Sequence, residues 1–150
     1  MTAQPDPALD LDALRRTAEI YARGADRRSK DDWGAVLAEE AEIVGPGFAA
    51  VGLDALLVSI DHLAAMFKTT RHIVHDMDVI ISGDTAEGET RCTAEHRLPA
   101  NDVGDVLLVW AIRYRDRWKR DAGGWKFTRR ELIVDWEEVR QCRDVTGSPD

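Results

Sequence analysis

The chain reads as an α+β protein, three helices at the N-terminus followed by a curved, mostly antiparallel sheet. Three observations lead there. Apolar residues recur at steps of three and four up to about residue 70, and at steps of two beyond it. Helices come first and strands follow, the order of an α+β fold rather than of a βαβ wind. Turn signals join the later segments directly, so the strands pair as hairpins.

Asp10 is placed to cap a first helix whose residues Leu11, Leu14, Ala18, Tyr21 and Ala25 form one stripe. A second, shorter helix starts at Lys30 or Asp31, with acids in its first turn and Trp33, Val36 and Leu37 facing inward. Residues 41–44 make a short strand ended by Gly45-Pro46-Gly47. Residues 53–67 form the third helix, with Leu53, Leu56, Leu57, Ile60, Leu63, Ala64 and Phe67 on a wide apolar face. Strands are expected over 72–81, 85–98, 106–119 and 125–136, the last two joined by Asp121-Ala122-Gly123-Gly124. Such strands closing around the helices would give one concave, helix-covered sheet with room for a ligand cavity.

The 150 residues fit one domain spanning 1–150, with an ordered core of about 9–138 and flexible tails, residues 1–7 and from about 141 onward. Twenty Lys and Arg against 28 Asp and Glu leave a formal net charge of −8. That balance argues against a nucleic-acid partner or an anionic membrane surface. Two cysteines, Cys92 and Cys142, are too few for a disulfide scaffold or a Cys-based zinc site. The longest apolar runs, residues 49–60 and 106–112, fall short of a membrane span, and the acidic, proline-bearing N-terminus lacks a signal peptide's basic start. A soluble cytoplasmic protein is expected.

The strand over 85–98 is the most informative. One face carries Ala86, Gly88, Thr90, Cys92, Ala94, His96 and Leu98; the other carries Glu87, Glu89, Arg91, Thr93, Glu95 and Arg97. Side chains alternate across a strand, so the charged set is solvated and His96 lies inside, among small residues that leave space for a cavity. His72 and His75, three apart, point to opposite faces, and parity alone does not choose which one joins His96. His62 sits beside Asp61 within the third helix and reads as a surface histidine. No HxH or HExxH spacing supports a metal, and none is expected.

Asp26 stands at the C-terminal end of the first helix, where the macrodipole disfavours an acid. A compensating partner is expected: Arg27, Arg28 or an inward histidine. An aspartate held against a histidine makes an acid/base dyad, the carboxylate fixing the imidazole tautomer. The basic stretch 113–120 alternates too. Arg113, Arg115 and Arg117 form one face, expected opposite Glu87, Glu89 and Glu95 as a solvated ion-pair lattice, while Tyr114, Asp116 and Trp118 form the other. With no Gly-rich phosphate loop, serine elbow or catalytic cysteine motif, cofactor-free chemistry remains.

These residues also carry a resemblance. Tyr21-Ala-Arg-Gly-Ala-Asp26-Arg-Arg, Trp33, Gly52, Thr70-Arg-His72, Gly83-Asp84-Thr85-Ala86, His96, Tyr114-Arg-Asp116 and Gly124-Trp125-Lys-Phe-Thr-Arg129-Arg130 resemble the SnoaL-like branch of the nuclear transport factor 2-like superfamily, from Leu9 to Trp136. The resemblance implies a sheet closed by the helices into a cone. It is nearest to scytalone dehydratase-like and hexachlorocyclohexane dehydrochlorinase-like lyases. It implies that Asp26 and His72, rather than His75, form the catalytic pair, with His96 as a second histidine. It also implies a homo-oligomer, dimer or trimer, formed through the outer sheet face. One departure is visible: Ala25, not a tyrosine, precedes Asp26, and Tyr21 lies one turn earlier.

The function expected is a cofactor-independent lyase or dehydratase acting on a small, largely apolar cyclic substrate, with His72 as base and His96 donating to the departing oxygen or to a carbonyl. An isomerase, a polyketide-type cyclase or a non-catalytic small-molecule binder are the alternatives. Tyr21, Trp33, Phe48, Met66, Trp110 and Arg129 are the candidate pocket walls.

Overall fold

The structure, a computed structural model, describes residues 6–101 and 104–145. Helix α1 spans Pro7–Arg27, α2 Lys30–Val36 and α3 Leu53–Met66; strands β1 to β6 span Leu37–Gly45, Phe48–Val51, Thr69–Ser82, Thr85–Asn101, Gly104–Asp121 and Gly124–Cys142. The six strands form one sheet in the order β2-β1-β6-β5-β4-β3. Every neighbouring pair is antiparallel except β1 and β6, which run parallel. The helices cover its inner face, where Leu14, Ala18, Tyr21 and Ala25 of α1, Trp33 of α2 and Leu56 and Ile60 of α3 are buried in one cluster with Tyr114, Trp118 and Phe127. Of the ends expected to be loose, residues 1–5 and 146–150 lie outside the described residues; Pro7 opens α1, and Gln141 and Cys142 close β6.

The cap of α1 differs from expectation. Asp6 is the N-cap, its carboxylate accepting the Ala8 N–H at 2.9 Å, and Pro7 takes the first helical position, where a missing N–H costs nothing. Asp10 instead lies inside the helix, nearly buried, where Oδ1 accepts from Arg120 Nη1 at 2.6 Å and Trp125 Nε1 at 3.1 Å. A polar side chain taken out of water needs such partners, and here they tie α1 to the β5–β6 hairpin. At the other end Arg28 adopts a left-handed conformation, φ 55° and ψ 41°, and Ser29 caps α2 by accepting the Asp32 N–H at 3.2 Å. Two residues therefore turn the chain between α1 and α2.

β2 answers no element of the sequence reading. Residues 48–51 pair with β1 through the Pro46-Gly47 turn, so the apolar run expected to end at a loop continues as an edge strand.

Two of the sheet's irregularities set which side chains face inward near the site. In β3 the register shifts between Val74 and Met77, so that Thr70, His72 and Val74 lie opposite the inner-face residues His96, Ala94 and Cys92, and Met77, Val79 and Ile81 opposite Thr90, Gly88 and Ala86. His75 thus falls outside, where Nε2 lies 2.7 Å from Thr93 Oγ1. In β6 the register shifts at Thr128: Phe127 pairs with Trp118, Arg129 with Arg117 and Arg130 with Asp116. Simple alternation from Phe127 carries Arg129 inward. The extra residue turns Arg130 inward instead.

The small residues of β4 serve packing as much as space. A Cβ on Gly88 would lie 2.1 Å from the Asp78 carbonyl oxygen, so this glycine marks a close approach of backbones. On the outer face Glu87 and Glu89 stand opposite Arg117 and Arg115, as expected, whereas Glu95 stands opposite Val109; Arg113 lies across from Arg91 and reaches Asp135 at 2.8 Å and Glu89 at 3.4 Å.

Candidate functional site

The C-terminal end of α1 delivers Asp26 to the start of β3. Asp26 Oδ2 accepts the backbone N–H of His72 at 2.8 Å, and Oδ1 lies 2.7 Å from His72 Nδ1 and 3.1 Å from Thr70 Oγ1. Arg28, just past the helix end, places Nη1 on the Ala25 carbonyl and on Thr70 Oγ1 at 2.7 Å. A guanidinium only donates. Thr70 therefore accepts from Arg28, and its single hydrogen goes on to Asp26. A carboxylate already accepting hydrogens from Thr70 and from the backbone takes the imidazole as a third donor, so the proton of His72 sits on Nδ1. Whenever the ring is neutral, Nε2 keeps its lone pair, the form a general base requires. The acid at the unfavourable helix end thus has its compensation in His72 and in Arg28 acting through Thr70.

His96 enters from β4, opposite Thr70 in register. Its ring lies 4.7 Å from Phe67, 5.0 Å from Trp110 and 6.0 Å, edge-on, from His72, centroid to centroid. Nδ1 is 3.0 Å from the Leu108 carbonyl oxygen, which cannot donate, so Nδ1 carries the hydrogen. Burial pushes this imidazole down to about 4, the Leu108 bond opposing and the nearby His72 adding to the fall. At neutral pH His96 is uncharged, with a lone pair on Nε2. The donating role expected of it does not follow from this geometry, because Nε2 has no hydrogen to give.

The candidate wall residues part company. Trp110 meets the His96 ring and donates Nε1–H to Glu137 at 2.8 Å. Tyr21 and Trp33 stack on one another at 4.5 Å within the packed cluster, and Trp33 Nε1 donates to the Tyr21 carbonyl at 2.9 Å. Phe48 lies on β2, 49% exposed, and Met66 at the end of α3, 60% exposed. It is the next residue, Phe67, that touches His96. Arg129 points outward to Glu131 at 3.1 Å and Glu42 at 3.7 Å. The structure brings Trp110 to His96 and adds Phe67; the others it places elsewhere.

The inward arginine, missed in the sequence, is Arg130. It is 1% exposed and pairs with Asp116, 2% exposed, through Nε at 2.8 Å and Nη2 at 3.1 Å. Thr90 donates to the same carboxylate at 2.7 Å. The guanidinium carbon lies 3.7 Å from the Tyr114 ring, 4.2 Å from Phe127 and 4.4 Å from Tyr21. Burial works against its charge, and Asp116 more than offsets that, holding the guanidinium above its ordinary value. Burial also pushes the phenol of Tyr21 and the thiol of Cys92 up to about 12, so neither supplies an anion near neutrality. The signal was available in the arginine doublet 129–130, where one member had to face Asp116.

A groove of about 340 Å³ runs between α1 and β3 and opens onto Asp26 and His72, with Ala22 and Val74 in its wall and Arg15, Arg23 and Arg27 along its rim. Among the described residues no three His, Cys, Asp or Glu side chains gather as a metal site, and no helix is long and apolar enough to cross a membrane.

A helix-covered curved sheet carrying an Asp–His pair is a framework on which many chemistries are built. The model of the SnoaL-like domain matches residues 6–131, and the chain belongs to that family. Three solved structures share the fold. Kfla4162 from Kribbella flavida is 24% identical, with a TM-score of 0.81, 89% of this chain covered and 95% of that one. A scytalone dehydratase candidate from Novosphingobium aromaticivorans is 23% identical, at 0.76, with 95% and 97% covered. The hexachlorocyclohexane dehydrochlorinase LinA-type3 from Novosphingobium barchaimii is 16% identical, at 0.77, with 94% and 93% covered. No curated protein matches the chain.

Proposed function

We propose that the protein is a cofactor-independent lyase of the dehydratase or dehydrohalogenase type, with His72 as its base and a small, largely apolar cyclic compound as its substrate. The observation that carries this reading is the 2.7 Å contact of His72 Nδ1 with Asp26, which leaves Nε2 free to take a proton. Nε2 removes a hydrogen from carbon, and the C–H electron pair becomes the new C=C bond. The group on the adjacent carbon leaves with its own electron pair. A halide departs as the anion. A departing hydroxide takes back the proton from His72 Nε2 and leaves as water. Asp26 stabilises the imidazolium in between, and Arg28 and Thr70 keep its carboxylate aimed. Phe67 and Trp110 supply apolar wall beside the reacting carbon. The names of the scytalone dehydratase candidate and the dehydrochlorinase among the structural neighbours fit an elimination. General acid–base steps of this kind are typically worth about 10²–10⁴-fold.

Isomerisation or ring closure would use the same pair to move a proton and expel nothing. A panel of cyclic ketones, alcohols and halides, followed by product mass, tests the proposal. Loss of water or HX is expected, with turnover abolished in His72→Ala and Asp26→Asn while far-UV circular dichroism is unchanged. Full turnover by His72→Ala overturns the assignment. An unchanged product mass replaces elimination with isomerisation.

A further inference from the structure

The groove between α1 and β3 reaches Asp26 and His72, and the charged groups along it are unevenly matched. Both carboxylates that line it are already engaged. Glu19 faces Arg15 Nε at 3.2 Å and Arg16 at 3.7 Å, and Asp26 accepts from His72 and Thr70. Two of its three guanidinium groups are engaged as well. Arg15 ties α1 to the irregular part of β3, donating to the carbonyls of His75 at 2.6 Å and Val74 at 3.4 Å. Arg23 grips Asp32 through Nε at 2.9 Å and Nη2 at 2.8 Å, which leaves its Nη1 open. Arg27, exposed in the last turn of α1, has no ion-pair or hydrogen-bond partner among the described residues.

Arg23 and Arg27 lie one helical turn apart and line the same groove, a spacing at which like charges repel. Asp32 relieves one of them: it is held below the usual carboxylate range chiefly by the Arg23 hydrogen bonds, and Arg27 contributes least. A cationic ligand entering the groove finds no open carboxylate. An anionic one finds an open guanidinium, with Arg23 Nη1 a turn away. The groove's volume of about 340 Å³ lies at the small end of ligand pockets, which suits one substituted ring. We propose that the groove takes a cyclic compound bearing a carboxylate, the acid group pairing with Arg27 and Arg23 Nη1 and the ring lying on Ala22 and Val74 beside His72. This rests on the reading of His72 as the base, and it deepens that reading by giving the substrate an acidic group. Arg27 then determines specificity without touching the reacting atoms.

Benzoate, benzamide and benzamidinium test this on the intact protein, because they share nearly one shape, differ in charge and cannot undergo elimination. Each is titrated into ¹⁵N-labelled protein at pH 7 and low salt, with the backbone amides followed by ¹H–¹⁵N correlation. Benzoate is expected to bind about fivefold more tightly than benzamide, the upper end for an exposed ion pair, with benzamidinium weakest. Its shifts should centre on residues 22–28 and 72–74. The preference should vanish in about 1 M salt and in Arg27→Gln. It should persist in Arg117→Gln, which removes the same charge from the outer face of the sheet. The proposal is overturned if benzoate does not bind, if it binds no better than benzamide, if the preference survives in Arg27→Gln, or if Arg117→Gln abolishes it equally. Uncharged compounds turned over through His72 with no preference for benzoate would leave the lyase standing and remove this inference alone. A preference for benzoate alongside full turnover by His72→Ala would keep the anion site and remove the lyase.

Discussion

Acidification from pH 7 to pH 5 should weaken the fold through His96, and the size of the effect follows from its burial. An unfolded histidine titrates near 6.5, while the folded imidazole is held to about 4 by burial. Between those values the unfolded chain binds more protons than the native one, so stability rises with pH and falls on acidification. Integrated over this window the linkage gives a loss of about 2 kcal/mol by pH 5, growing to about 3 kcal/mol below pH 4. Urea unfolding at pH 7, 6 and 5 reads this as a falling midpoint. The window lies above the range where most carboxylates titrate, which isolates the histidine contribution. His96→Phe loses the Leu108 hydrogen bond, and its unfolding free energy should fall between pH 7 and pH 5 by about 2 kcal/mol less than that of the wild type. A wild-type midpoint that is flat from pH 7 to 5, or a pH dependence unchanged in His96→Phe, would refute the argument that burial keeps this ring neutral.

Asp116→Ala should destabilise by about 3–5 kcal/mol in urea unfolding, because it strands the Arg130 guanidinium without a counter-charge; the double variant Asp116→Leu, Arg130→Met should recover most of that loss. Thr70→Val removes the one hydroxyl linking Arg28 to Asp26, a hydrogen bond to a charged group worth about 1.5–3 kcal/mol, and should lower turnover about tenfold to a hundredfold. Thr70→Ser should restore it, and a loss of activity that tracked melting temperature in both variants would reduce Thr70 to a packing role.

The sequence showed the fold through periodicity. The switch from steps of three and four to steps of two places the helix–strand boundary within a few residues of the observed one, and alternation on β4 puts His96 inside. Alternation fails where an extra residue enters. The irregularity after Val74 and the one at Thr128 reset parity, and neither carries a glycine or proline to announce it. Alternation from Phe127 points Arg129 inward, whereas the inward arginine is Arg130. The cap of α1 was misplaced for a different reason: Asp6 and Asp10 both precede apolar residues, and only the tertiary partners Arg120 and Trp125 show which acid the interior needs. The pairing of Asp26 with His72 came from the family resemblance, since parity between His72 and His75 is silent on it. The direction of the hydrogens required coordinates: which atom a histidine spends its proton on depends on a carbonyl twelve residues away in sequence, that of Leu108.

The Arg129–Arg130 doublet has a consequence for how β6 tolerates error. A strand that slips by one residue normally exchanges its two faces, turning apolar groups out and polar groups in. Were the bulge flattened so that Thr128 paired with Arg117, the frame continuing from Phe127 would bring position 129 opposite Asp116. That position is also an arginine, so a cationic side chain meets the interior carboxylate in either frame. The most expensive failure of a slip, an aspartate sealed in the core with no cation, is thereby avoided at this point. The doublet acts as a spare key for the same lock, and a substitution at the outward arginine would go unnoticed until the bulge is flattened.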